Sequence, residues 1–120
     1  MPLRFDDTIS LRTAGRAHFT SLRQIVLIAA RDNYSEVTLS DGTRVVLRKS
    51  LKAWQSLLPE SHFLRVHRML IVNLTSIVRY ERDRDEHTRL FLTACETPFA
   101  VSRRTWGVLR ERLGELHVAV

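Results

Sequence analysis

Asp41-Gly42 separates two short runs, 34–39 and 43–48, each carrying β-branched residues. Both turn residues tolerate a positive φ, so the pair closes a tight hairpin whose twist suits antiparallel strands. Most of the chain repeats this grammar. Runs 8–13 and 16–19 flank Ala14-Gly15, run 25–30 is the longest apolar stretch, and runs 77–80 and 88–94 flank the polar connector 81–87. Residues 63–73 read as one extended segment with Met69-Leu70-Ile71-Val72 as its apolar part, and 99–101 as a last short strand. Two segments switch to helical spacing. Ser50 is the N-cap of a short helix in which Leu51, Trp54, Leu57 and Leu58 share a face and Pro59 ends it. Ser102 caps a C-terminal helix with apolar positions at Trp106, Leu109 and Leu113. The fold class is therefore mainly β and antiparallel, with a short helix after the second hairpin and a C-terminal helix.

A chain of 120 residues, 44% hydrophobic, supports one domain with one modest core, here taken as 1–120. The lone Cys95 excludes an internal disulfide framework and any cysteine-based zinc cluster. Leu92 and Ala94 beside it point to a half-buried structural thiol. The N-terminus lacks the charged-then-apolar order of a secretion signal, and no apolar run approaches the roughly 20 residues of a membrane span, so a cytoplasmic location without membrane insertion is expected.

Charge is the second constraint. From Arg44 to Arg79 seven basic residues stand against one acid, Glu60, a net of +6 that equals the whole chain's net charge. Such concentration indicates a face for a polyanion, duplex nucleic acid foremost, or else a solvated basic surface. Arginine supplies 17 of the 19 basic residues, which suits bidentate recognition of phosphate and guanine and also fits a GC-rich genome. Arg103 and Arg104 begin the last helix, where positive charge opposes the helix dipole by roughly a few tenths of a kcal/mol each. An anion held there by the arginines and the free N–H groups together resolves that conflict, as does simple exposure.

Catalysis finds no support: there is no Gly-rich phosphate loop, nucleophile elbow or His-x-x-x-His pair. Asp83, Asp85, Glu86 and His87 have ligating side chains, but the interleaved Arg82, Arg84 and Arg89 balance them, so neither metal nor cofactor is expected. RNA binding would require paired exposed aromatics, for which Tyr34, Phe91 and Phe99 are the candidates.

Four blocks in order carry a family resemblance: Asn33-Tyr34; Ser50-Leu51-Lys52; Phe63-Leu64-Arg65-Val66-His67-Arg68 leading into Ile71-Val72-Asn73-Leu74 with Ile77; and Val101-Ser102-Arg103-Arg104. From about 9 to 113 the chain resembles the LytTR-type DNA-binding domain, the output half of many bacterial response regulators. The resemblance implies an elongated fold of several small antiparallel sheets that places loops in successive major grooves of promoter DNA, two copies reading paired direct repeats. Departures are Ile28-Ala29-Ala30-Arg31-Asp32, without the acid usual shortly before Asn-Tyr, and Met69-Leu70, where small polar and aromatic residues are usual. No receiver domain precedes the match, so the chain is a free-standing regulator or a piece of a longer one.

Carried over by position, the contact loops hold Asn33 and Tyr34, His67 and Arg68, and Arg103 and Arg104. Arginine pairs with guanine and asparagine with adenine, which makes Arg68 and Arg104 the base readers, with Asn33 or Tyr34 assisting. Lys49, Lys52, Arg65 and Arg103 are expected on phosphates. Structural roles compete at three positions: Tyr34 packing on its hairpin, Arg65 as strand surface, His67 as a core-edge residue bonded to backbone. The rival function is a protein-interaction module docking on an acidic or membrane-embedded regulatory partner.

Overall fold

The computed structural model describes residues 2–120, among which ten strands and two α-helices form. In chain order they are β1 (Thr8–Thr13), β2 (Arg16–Ser21), β3 (Ile25–Arg31), β4 (Tyr34–Leu39), β5 (Arg44–Leu47), α1 (Leu51–Leu57), β6 (Phe63–His67), β7 (Leu70–Asn73), β8 (Ile77–Arg82), β9 (Thr88–Leu92), β10 (Phe99–Val101) and α2 (Arg103–Leu116). They pair antiparallel in three sheets: β1-β2, β5-β4-β3-β7-β6 and β10-β9-β8. The molecule measures 49 × 28 × 25 Å. Mainly β, elongated and built of small sheets, it has the expected architecture.

The apolar run of β3 is the hinge of the packing. A register shift between Ile25 and Leu27 puts Val26 and Leu27 on one face of the large sheet, while Ile25 and Ile28 face the other. One strand thus feeds two cores, which explains why its sequence is continuously apolar rather than alternating. On the first face Ile25, Ile28, Val37 and Ile71 meet Leu51, Trp54 and Leu58 of the α1 region and Leu11 of β1. On the second, Val26, Val72 and Leu74 meet Leu90 and Leu92 of β9, Val101 of β10, and Trp106 and Leu109 of α2. Cys95 is half-buried against this second core, and burial pushes its thiol up.

Turn chemistry follows the residues. Gly15 and Gly42 sit at φ +71° and +90°, and the Asp41 carboxylate accepts from the Thr43 amide at 2.9 Å, which lowers its pKa. Asp32 takes φ +53° in the two-residue turn between β3 and β4.

The stretch 63–73 departs from its expected single extended segment. It folds back on itself: β6 and β7 pair from Phe63↔Asn73 to His67↔Leu70 around the turn Arg68-Met69. Neither turn residue is glycine, asparagine or proline, so no local signal marks the bend. Side chains supply what turn propensity does not. His67 Nδ1 accepts from the Met69 amide at 3.1 Å, and the Arg65 guanidinium donates to the Arg68 carbonyl.

Both helices begin at the expected serines. Ser50 Oγ accepts from the Ala53 amide at 3.1 Å and Ser102 Oγ from the Thr105 amide at 3.2 Å. Because α1 has only seven residues, it depends on its cap and on Trp54, whose Nε1–H donates to the buried Ser35 hydroxyl of β4 at 2.9 Å. Ser50→Ala is expected to cost about 1 kcal/mol of stability, read as a lower denaturation midpoint with an unchanged slope. No loss would mean that Trp54 alone holds the helix.

Candidate nucleic-acid interface

Strand register gathers the expected contact loops. Arg31↔Tyr34 is the last pair of β3-β4, so Asp32-Asn33 forms the turn, while β5 ends at Leu47 opposite Ser35 and releases Arg48-Lys49 at the same edge. Across the sheet, Ala29↔Leu70 places the Arg68-Met69 turn beside the end of β3, and the Ala30 amide donates to the Met69 carbonyl at 2.9 Å. Asn33, Tyr34, Lys49, His67 and Arg68 therefore lie at one end of the five-stranded sheet, although 35 positions of sequence separate Asn33 from Arg68. Lys52 follows in the first turn of α1.

Their freedom differs. Asn33, Lys52, His67 and Arg68 are exposed, and Tyr34 is 46% exposed. Among the described residues no carboxylate lies within ion-pair distance of Lys52 or Arg68. Lys49 is half-buried, its Nζ 5.4 Å from the centre of the Trp54 ring, an arrangement that keeps the ammonium at the rim while its stem covers apolar surface. His67 has a defined orientation: a backbone amide can only donate, so Nδ1 is the acceptor and in the neutral ring the proton sits on Nε2. Arg65 is half-buried and donates to Gln55 at 3.2 Å as well as to the Arg68 carbonyl, so much of its donor capacity serves the turn that carries Arg68.

Arg103 and Arg104 occupy a different place. β10 leads into α2 at Val101, which pairs with Thr88 beside the end of β8. The helix start therefore adjoins the tip of the three-stranded sheet, residues 83–87, where Arg103 donates to the Asp85 carbonyl at 3.4 Å. Both arginines are exposed, and no acid occupies the first turn of α2. Asp83, Asp85 and His87 approach one another at this tip. The Asp83 carboxylate already accepts from the His87 and Asp85 amides at 3.0 and 2.9 Å, and these bonds hold its pKa down.

The charge of the stretch 44–79 is not all available to a ligand. Arg79 pairs with Glu81 at 3.1 Å and lies 3.8 Å from the centre of the Phe91 ring. Arg48, counted in the basic stretch but not among the expected contacts, stands exposed next to Lys49. The position of Arg48 after a hairpin strand is the signal that places it at the rim.

A family model described as the LytTr DNA-binding domain matches residues 15–114. Among solved structures the chain is similar to the LytTr DNA-binding domain of a methyl-accepting/DNA response regulator from Bacillus cereus. The TM-score is 0.74 at 24% identity, over 89% of this chain and 96% of that one, a likeness of fold. No curated protein matches. Among the described residues no helix is long and apolar enough to cross a membrane. With most of its length, α1, all but the last two residues of α2 and every strand of the large sheet inside the matched range, the chain belongs to the LytTr DNA-binding domain family.

Proposed function

We propose that this protein is a sequence-specific, double-stranded-DNA-binding transcription regulator that reads promoter direct repeats through turns inserted in successive major grooves, acts without catalysis or cofactor, and pairs with a second copy on adjacent half-sites. The observation that carries the proposal is the convergence of the turns at residues 32–33 and 68–69 on one sheet end. They lie two strand spacings apart, about 10 Å, which fits a major groove about 12 Å wide. The 49 Å length of the molecule exceeds the roughly 34 Å between successive grooves on one face of a duplex. The arginines at the start of α2 then serve a second groove.

Roles divide by chemistry. Arg68 and Arg104 read bases, since an unpaired guanidinium can donate twice to one guanine. Asn33 or Tyr34 assists at the sheet end, and His67 offers its outward Nε2–H to a base acceptor or a phosphate. Lys49, Lys52, Arg65 and Arg103 meet the backbone, and Arg65 in addition holds the turn beneath Arg68.

Substitution tests the division. Arg68→Ala or Arg104→Ala is expected to cost roughly 1–3 kcal/mol on the preferred site and to relax base preference, while Lys52→Ala weakens all sequences alike. Anisotropy titrations against a selected site and a random duplex measure both. Equal losses on the two duplexes for every arginine variant would overturn the assignment of base readers.

A further inference from the structure

An open groove of about 490 Å³ runs between β8 and α2, from Trp106 to the helix's C-terminal end. Its apolar lining is unusually bare: Val78 is 64% and Tyr80 48% exposed, with Trp106 and Leu113 on the helix side. Arg79 and Arg110 add positive charge, and no carboxylate belongs to the lining. Glu81, just outside it, is shared between Arg79 and Arg89 at 3.1 and 3.2 Å, and among the described residues Arg110 has no carboxylate within ion-pair distance. Trp106 contributes a second kind of evidence. It is only 6% exposed, yet its Nε1–H has no acceptor among the described residues, whereas Trp54 donates to Ser35. Buried donors are normally matched, so this one is short of an oxygen. β8 is also an edge of its sheet, with backbone groups free to pair.

We propose that this groove docks a segment of a partner protein in which apolar anchors alternate with carboxylates. Leucine- or phenylalanine-type side chains cover Val78, Tyr80 and Leu113, and the acids answer Arg110, which is in no ion pair among the described residues. An oxygen of the segment accepts from Trp106 after a small adjustment of the Tyr80 ring, whose centre lies 4.5 Å from that of Trp106. Duplex DNA fits less well, because phosphates gain nothing from an apolar floor. A second copy also fits less well, because each chain carries a net charge of +6 and would bring one cationic wall against another. The inference stands on the groove alone and not on the DNA-binding reading.

The test uses the full chain and short fluorescein-labelled peptides: alternating Leu and Asp, the same with Lys for Asp, and the same with Ser for Leu. Only the Leu/Asp peptide is expected to bind, moving the Trp106 indole N–H resonance while leaving that of Trp54 in place. Arg110→Glu is expected to weaken it by at least about tenfold. Gly114→Phe fills the groove from the helix side and abolishes binding; a Cβ there meets nothing within 4 Å, so the fold survives, as a thermal melt verifies. Duplex-DNA affinity of Gly114→Phe stays at the parent value, which separates failure at this groove from failure at the rims. Equal binding of the Leu/Asp and Ser/Asp peptides, displacement by random duplex, loss of a dimer in Gly114→Phe, or unchanged peptide affinity in both variants would overturn the proposal.

Discussion

Raising monovalent salt from about 50 to about 200 mM is expected to weaken duplex binding by roughly 250- to 1,000-fold, a slope of log K on log salt of about −4 to −5. The figure follows from about five phosphates neutralised per domain, each releasing condensed counterion. Lys49, Lys52, Arg65 and Arg103, with the exposed Arg48 beside Lys49, supply that number. Among the described residues none of the five has a carboxylate within ion-pair distance, whereas Arg79 and Arg89 share Glu81 and Arg31 pairs with Glu36. A cation already paired within the protein exchanges one anionic partner for another and adds little to the slope. Anisotropy titrations over a salt series measure it directly. A slope near zero would show that these side chains do not meet phosphate. Lys52→Ala should reduce the slope by about one.

Asn73→Ala is expected to destabilise the protein by roughly 2–4 kcal/mol, lowering the thermal midpoint by about 10 °C. Asn73 is fully buried at the end of β7 and uses both ends of its amide. Nδ2 donates to the Ile25 carbonyl at 2.8 Å, and Oδ1 accepts from the Thr75 amide at 3.0 Å and the Thr75 hydroxyl at 2.8 Å. Alanine strands the buried Ile25 carbonyl away from water, releases Thr75 and leaves a small void. Asn73→Asp separates hydrogen bonding from volume. It retains an acceptor for Thr75 but turns an ionised oxygen toward the Ile25 carbonyl. Burial raises the folded-state pKa of such a carboxyl above its unfolded value, so the folded state holds the extra proton. Stability of that variant is then greatest at acid pH and falls as pH rises through the interval between the two values. Denaturant melts at acid and neutral pH measure the difference. A pH-independent loss equal to that of the alanine variant would show that packing, not hydrogen bonding, is what Asn73 contributes.

The same residue shows where reading a sequence stops. Asn73 belonged to a recognisable block, yet its role depends on Ile25, 48 positions away. The hairpin at Asp41-Gly42, the turn at Gly15 and the two serine caps were all legible, because each rests on the φ preference or hydrogen-bonding reach of residues within a few positions. The fold-back at Arg68-Met69 was not, because histidine and arginine side chains bend the chain there in place of turn-forming residues. Continuous burial of β3 was visible as an apolar run, but its register shift and its service to two cores were not.

Composition and local pattern alone determined that this chain is an antiparallel β protein with two capped helices, basic in one third of its length, and the ordered blocks resembled one family. Tertiary structure alone decided which arginines remain free, which turns share a rim, and that Arg103 and Arg104 stand at another sheet's tip. The division has a physical basis. Backbone preference and charge are properties of neighbours along the chain, whereas meeting of distant side chains is set by strand order, and strand order is chosen by burial of the whole core at once.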